Sequence, residues 1–209
     1  MERSDIVTCR TAFLRALRNN EKGPKNPVVY IDETWLHTHY TQKKCWQHED
    51  IAGVMTNSSA GQRVVVVLAG GEMGFINGAK LIYDSKSKSS DYHDDMNSTN
   101  FNKWLQYQLI PNMPPGSIVV LDNASYHSVQ ENKPPNTSSR KADIQLWLQQ
   151  NSIKYDPGLW RDELLQLVWL HKPQPTYAVD RMLKNHGFSA LRLPPYQCDL
   201  NRIELNGIL

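Results

Sequence analysis

Three short runs of consecutive apolar residues constrain most strongly how this chain can fold. They occupy residues 28–31, 64–69 and 118–121, and each contains valine or isoleucine at neighbouring positions. Runs of this length without polar alternation are typical of strands that are buried on both faces. A sheet built from such strands needs helices on both sides, so the pattern favours an α/β fold.

The rest of the sequence supplies candidate helices and two further strands. Apolar residues recur at helical spacing in five stretches, at residues 6–17, 101–109, 142–150, 159–170 and 177–185. Shorter strands are predicted at residues 79–83 and 188–193. We predict a single domain over residues 1–209, with an amphipathic N-terminal helix in residues 1–20 and a helical insertion in residues 131–187.

Composition excludes two classes of protein. The 209 residues are 40% hydrophobic, which is enough to bury a core, so the chain is not a disordered tail. The longest apolar run, residues 64–69, is far shorter than the roughly 20 residues that cross a bilayer. A net charge of +2 and a pI near 8.4 are only mildly basic, so charge alone does not identify a partner.

The cysteines indicate neither a disulfide framework nor a structural metal site. Cys9, Cys45 and Cys198 lie far apart, leave an odd one over and form no Cys-x-x-Cys pair, which fits a reducing intracellular compartment. The spacing His-x-His followed by Cys-x-x-His in residues 37–48 matches no structural zinc pattern. Zinc is therefore the weaker interpretation of that segment.

Two aspartates stand where apolar strands end. Asp32 closes the run at residues 28–31, and Asp122 closes the run at residues 118–121. Ligands and metals collect at strand ends in open α/β sheets, so the repeated context favours a functional role for both carboxylates. A third acidic residue, Glu204, ends a proline-led motif at residues 193–204.

Taken together, these blocks resemble the catalytic domain of the mariner superfamily of transposases. The matching segments read Tyr-Ile-Asp-Glu-Thr-Trp at residues 30–35, Val-Leu-Asp-Asn-Ala-Ser-Tyr-His at 120–127, and Leu-Pro-Pro-Tyr-Gln-Cys-Asp-Leu-Asn-Arg-Ile-Glu at 193–204. They occur in the order of that family, whose members are DDE-type enzymes of the ribonuclease-H-like group. The resemblance implies a mixed β-sheet flanked by helices, with the helical insertion before the third acidic residue.

The resemblance also implies a chemistry. Asp32, Asp122 and Glu204 would be the catalytic triad and would bind two Mg²⁺ or Mn²⁺ ions, with Asp32 between them. Paired divalent ions stabilise the attacking and leaving oxygens of a phosphodiester, and carboxylate oxygens suit these hard cations. The expected activity is metal-dependent DNA cleavage and strand transfer, in the nucleus, with DNA and a second copy of the chain as partners.

The sequence also departs from the family pattern. Residues 123–203 make an unusually long spacer between the second and third acidic residues, and Cys198 and Arg202 stand where relatives often have proline. The resemblance implies a chain truncated at both ends. The alternative function is an inactive, domesticated remnant that binds nucleic acid or protein, and a third is a nuclease acting on both DNA and RNA.

Other side chains have more modest interpretations. Glu33 follows Asp32 in a strand and points to the opposite face, which favours a structural role over metal binding. His127 could approach the metal site, although a packed loop histidine is the simpler interpretation. The six tryptophans are predicted to lie mostly in the core: Trp35, Trp46, Trp104, Trp147, Trp160 and Trp169.

Overall fold

A computed structural model describes residues 3–37, 63–85 and 96–205 of the chain. The strands are β1 (Val28–His37), β2 (Arg63–Gly71), β3 (Gly74–Phe75), β4 (Leu81–Ser85), β5 (Ile118–Leu121) and β6 (Ser189–Arg192). The α-helices are α1 (Ser4–Lys22), α2 (Ser98–Trp104), α3 (Lys141–Gln150), α4 (Arg161–His171), α5 (Ala178–Asn185) and α6 (Arg202–Leu205). A π-helical turn over Leu105–Leu109 follows α2, and a 3-10 turn over Cys198–Leu200 precedes α6.

The strands form one mixed sheet in the order β3-β2-β1-β5-β6, and β4 also pairs with β2. β1 runs antiparallel to β2, from Val29 opposite Gly71 to His37 opposite Arg63. β1 runs parallel to β5, and β5 runs parallel to β6. The prediction that both aspartates end strands is correct for Asp122, which directly follows β5, and wrong for Asp32, because pairing with β2 extends β1 to His37.

Both faces of the sheet are covered, as the unbroken apolar runs predict. Alternate residues of β1 and β5 enter different clusters, because successive strand side chains point to opposite faces. On one face, Ile31 packs with Phe101 of α2 and Leu183 of α5. On the other face, Tyr30 packs with Phe13 of α1. Helices thus bury the central strands from both sides.

Residues 129–178 form a second compact unit, and residues 1–128 and 179–209 make up the first. The second unit has a core of its own between α3 and α4, made of Ile144, Trp147, Leu148, Leu164, Leu165 and Val168. This unit is shorter than the predicted insertion at 131–187. The difference arises because Val179 and Leu183 of α5 are buried in the core of the first unit.

The tryptophans depart from the core prediction. Trp104 and Trp147 are buried, Trp35, Trp160 and Trp169 are exposed, and Trp46 lies outside the described residues. The indole of Trp104 donates a hydrogen bond to the carbonyl of Ala79 at 2.7 Å, which satisfies its one polar group in the core. No helix within the described residues is long and apolar enough to cross a membrane.

Candidate active site

Asp32 lies within β1, and Asp122 directly follows β5, the neighbouring parallel strand. Tyr30 of β1 is paired with Val120 of β5, and each aspartate lies two residues beyond its member of this pair. Adjacent strands are about 4.8 Å apart, so the register brings the two backbone positions close together where the pairing of β1 with β5 ends. The structure thus brings together the two aspartates that the sequence singled out.

A buried histidine joins Asp122 to Glu33. The Nδ1 atom of His127 lies 2.6 Å from Oδ1 of Asp122, and its Nε2 atom lies 3.2 Å from Oε1 of Glu33. The side chains of His127 and Glu33 are 1% and 7% exposed, whereas that of Asp122 is 45% exposed. Glu33 therefore supports the site from inside the protein, which agrees with the opposite-face argument, and His127 is both packed and in contact with the site.

The charge of this histidine follows from its partners. Burial by itself lowers the pKa of His127, since it penalises the charged ring, but the hydrogen bonds and negative charges of Asp122 and Glu33 raise the pKa to about 9. A neutral imidazole has one N–H, while ionised carboxylates only accept hydrogen bonds. At neutral pH His127 is therefore a cation that donates from both ring nitrogens.

Three side-chain hydrogen bonds connect the three sequence motifs in pairs. His127 of the second motif reaches Glu33 of the first. Asn123 of the second motif donates from Nδ2 to the carbonyl of Leu193 in the third, at 2.7 Å. Asn201 of the third motif donates from Nδ2 to the carbonyl of Ile31 in the first, at 3.2 Å. Each motif is thus held against both of the others.

The backbone of Glu204 lies within this assembly. Glu204 belongs to α6, and the preceding Ile203 is buried in the same cluster as Tyr30 and Val120. The start of α6 therefore packs on the face of the sheet that bears Tyr30, and strand alternation places Asp32 on that face too. The side chain of Glu204 lies outside the described residues, as do those of the histidines and Cys45 in the segment considered for zinc.

Sequence comparison decides the family. A family model described as DDE superfamily endonuclease matches residues 27–206, which include all three motifs. The chain belongs to this DDE family. The DDE-type domain predicted from the motifs is thereby confirmed at the level of family, and a search of curated proteins finds no match.

Solved structures of Mos1 share the fold of this DDE chain. The strand transfer complex of Mos1 matches with a TM-score of 0.50 and 14% sequence identity, over 98% of this chain and 46% of that chain. The Mos1 mariner paired-end complex with Mn gives 0.49 and 15%, over 98% and 47% of the two chains. The Mos1 catalytic domain gives 0.46 and 12%, over 100% and 71%.

This DDE chain therefore spans about half the length of the Mos1 chains in those complexes. At such low identity the likeness concerns the fold. It confirms the predicted ribonuclease-H-like architecture, a mixed sheet with helices on both faces.

The donor atoms of the DDE site fit a divalent metal. Asp32 and Asp122 supply carboxylate oxygens, the ligand type that Mg²⁺ and Mn²⁺ prefer. Asn201 is 1% exposed, and its Oδ1 atom has no hydrogen-bond partner among the described residues, which is unusual for a buried amide oxygen. Within the described part of the chain no three acidic, histidine or cysteine side chains form a metal-binding group, and the side chain of Glu204 lies outside that part.

Sequence reasoning missed the residues that hold the DDE motifs together. These are Asn123, Asn201 and Arg192, whose hydrogen bonds join segments far apart in the chain. A weak signal existed for the two asparagines, because Asn123 directly follows Asp122 and Asn201 lies within the third motif. No local pattern marks Arg192, which is the last residue of β6.

Proposed function

We propose that this chain is the catalytic domain of a DDE transposase, which cleaves DNA and transfers the cut strand in a metal-dependent reaction. Asp32, Asp122 and Glu204 are the proposed catalytic and metal-binding residues. The observation that supports this most strongly is the pairwise connection of the three motifs, with each aspartate two residues beyond the Tyr30–Val120 pair of β1 and β5.

Each residue has a distinct part in the proposed site. Divalent ions, when bound, would activate the attacking hydroxyl and stabilise the leaving oxygen of the phosphodiester. Asp32 presents its carboxylate from a rigid central strand and is proposed to contact both of two ions. Asp122 presents a half-exposed carboxylate that is hydrogen-bonded to the buried His127. Glu204, in α6 at the end of the third motif, is proposed to complete the ligand set.

DNA is the proposed partner. The Mos1 chain that shares this fold was crystallised in a strand transfer complex, and strand transfer is the reaction proposed for the present chain. We also propose that two copies act together and that the protein works in the nucleus, as the mariner resemblance implies. Both statements rest on family membership.

Nicking of supercoiled plasmid tests the proposal. The wild-type chain should convert supercoiled DNA to open circles with Mg²⁺ or Mn²⁺ and not with EDTA. Asp32→Asn and Asp122→Asn should each lower the rate by at least about 100-fold, because removing one charged ligand weakens metal binding while preserving shape. Asp143→Asn makes the same chemical change on an exposed residue of α3 and should have no effect.

Two results would contradict the proposal. Nicking that persists in both aspartate variants would place the activity elsewhere or assign it to a contaminant. A folded wild-type chain that binds DNA without nicking it would favour the domesticated binding module, and cleavage of RNA and DNA at equal rates would favour the less specific nuclease.

A further inference from the structure

We propose that Glu33 and His127 are positioning residues, which together fix the orientation of the Asp122 carboxylate toward the metal. This inference rests on the proposed function, because it gives Glu33 and His127 a role in placing Asp122, which is a proposed metal ligand. Neither residue is suggested to touch the metal or the DNA.

Two of the three groups are buried, and the third is half exposed. Glu33 and His127 are almost completely buried, and Asp122, at the outer end, is half exposed. Both ring nitrogens of His127 are used, one on each carboxylate. The histidine therefore connects the buried Glu33 to the half-exposed carboxylate of Asp122. Histidines that ligate metals are held by carboxylates in the same manner.

The histidine ring has little freedom to move. It packs against Phe101, with 4.1 Å between ring centroids, and against Tyr126, with 4.5 Å between centroids and the rings near perpendicular. Phe101 is itself completely buried in the core of the first unit. Tight packing of this kind holds a side chain in one rotamer. The Nδ1 atom is consequently aimed at one point in space.

The backbone of the same loop is also fixed. Arg192 donates to the carbonyl of His127 at 2.9 Å and to the hydroxyl of Ser128 at 3.1 Å, and it pairs with Asp180 at 2.7 Å. These contacts tie the loop that follows β5 to β6 and α5. The position of His127 is thus determined by both its side chain and its main chain.

Two further features indicate orientation as the purpose of this pair. The Oδ1 atom of Asp122 accepts from the backbone N–H of Ala124 at 3.0 Å as well as from His127, so two donors converge on one oxygen. A buried ionisable pair also costs desolvation free energy that an apolar pair of similar volume would avoid. Packing alone would be served as well by apolar side chains at positions 33 and 127.

A matched pair of substitutions tests this role. In His127→Asn the amide nitrogen takes a place near Nδ1 and can still donate to Asp122, whereas in His127→Gln it lies near Nε2 and can donate only to Glu33. We expect the Mn²⁺ affinity of the full chain, measured by isothermal titration calorimetry, to fall by less than about 3-fold in His127→Asn. In His127→Gln it should fall by about 10- to 100-fold, as for other residues that support metal ligands.

Controls separate positioning from general loss of structure. Ser125→Ala changes an exposed residue of the same loop and should leave the Mn²⁺ affinity unchanged. Both His127 variants should lower the urea midpoint by similar amounts, so a difference in metal affinity between them cannot reflect stability. Equal Mn²⁺ affinity in the two variants would overturn the positioning role while leaving the proposed function intact. A folded wild-type chain that binds no Mn²⁺ would overturn both.

Discussion

Asn201 shows how a single amide can hold an active-site motif in place. Its side chain is 1% exposed and donates to the carbonyl of Ile31, the residue before Asp32. The two residues are 170 positions apart in the chain. This bond joins the motif that contains Glu204 to the central strand, so its effect should exceed that of an ordinary surface hydrogen bond.

We expect Asn201→Ala to lower the free energy of unfolding by about 1–3 kcal/mol, the usual effect of removing one partner of a buried hydrogen bond. Urea unfolding followed by circular dichroism measures this change. Asn112→Ala is a matched control, because the exposed Asn112 amide donates to the carbonyl of Gln108, which is only four residues away in the chain. That variant should change stability by no more than about 0.5 kcal/mol. Equal losses of unfolding free energy in the two variants would show that the buried Asn201 hydrogen bond stabilises the fold no more than the exposed Asn112 bond does.

The charge of His127 predicts how stability depends on pH in the presence of EDTA. Its pKa is raised from 6.5 to about 9 by Asp122 and Glu33, against the opposing effect of burial. A raised pKa contributes stability that is fully present below pH 6.5 and is lost as the pH rises through about 9. Urea titrations from pH 6 to 10 should show a stability decrease in the wild type that is smaller in His127→Gln. Parallel pH profiles for the two proteins would contradict the assigned charge.

At the level of elements, β1 presents two acidic side chains with different roles on its two faces. Asp32 shares the face of Tyr30, while Glu33 lies on the face of Ile31 and so meets His127 beside Phe101. The opposite directions of these two carboxylates could be predicted from sequence, because the period of two is a local property. The end of β1 could not, because residues 32–37 are held in the strand by pairing with β2, which is distant in the chain.

The contact between Glu33 and His127 could not be predicted in the same way. The two residues are 94 positions apart, and their meeting depends on the pairing of β1 with β5. Strand β3 was also missed, because it has only two exposed residues. The π-helical turn at Leu105–Leu109 was missed because its apolar spacing resembles that of the α-helix before it.

A core substitution in the second unit tests whether that unit unfolds separately from the first. Leu148 of α3 is completely buried in a cluster that contains only residues of this unit. Leu148→Ala should therefore destabilise the unit by about 2–5 kcal/mol. Hydrogen exchange should accelerate in α3 and α4 and stay unchanged in β1 and β5. An equal loss of protection in β1 and β5 would show that the two cores unfold together.

At the scale of the whole molecule, the chain is built from a DDE unit and an inserted helical unit. The ends of the inserted unit are joined by backbone hydrogen bonds, from Glu131 N–H to the Thr176 carbonyl at 3.0 Å and from Ala178 N–H to the Val129 carbonyl at 3.1 Å. A segment whose ends lie this close can be exchanged for a short turn without stretching the remaining chain.

Replacing residues 132–175 with a four-residue Gly-Ser linker should leave the first unit folded. We expect a cooperative unfolding transition and unchanged hydrogen-exchange protection in β1, β5 and α2. The Mn²⁺ affinity should stay within about 3-fold of the wild type, since Asp32 and Asp122 lie outside the removed segment. A shortened chain that aggregates or loses all exchange protection would contradict this division.

Asp32 and Asp122 are proposed to share a divalent metal, and anomalous X-ray diffraction from crystals soaked in MnCl₂ would locate that metal. We expect an anomalous peak within coordination distance of both carboxylates, which disappears in Asp122→Asn crystals soaked in the same way. A peak elsewhere in a chain that still nicks DNA with Mn²⁺, or no peak between the two aspartates at saturating Mn²⁺, would contradict it.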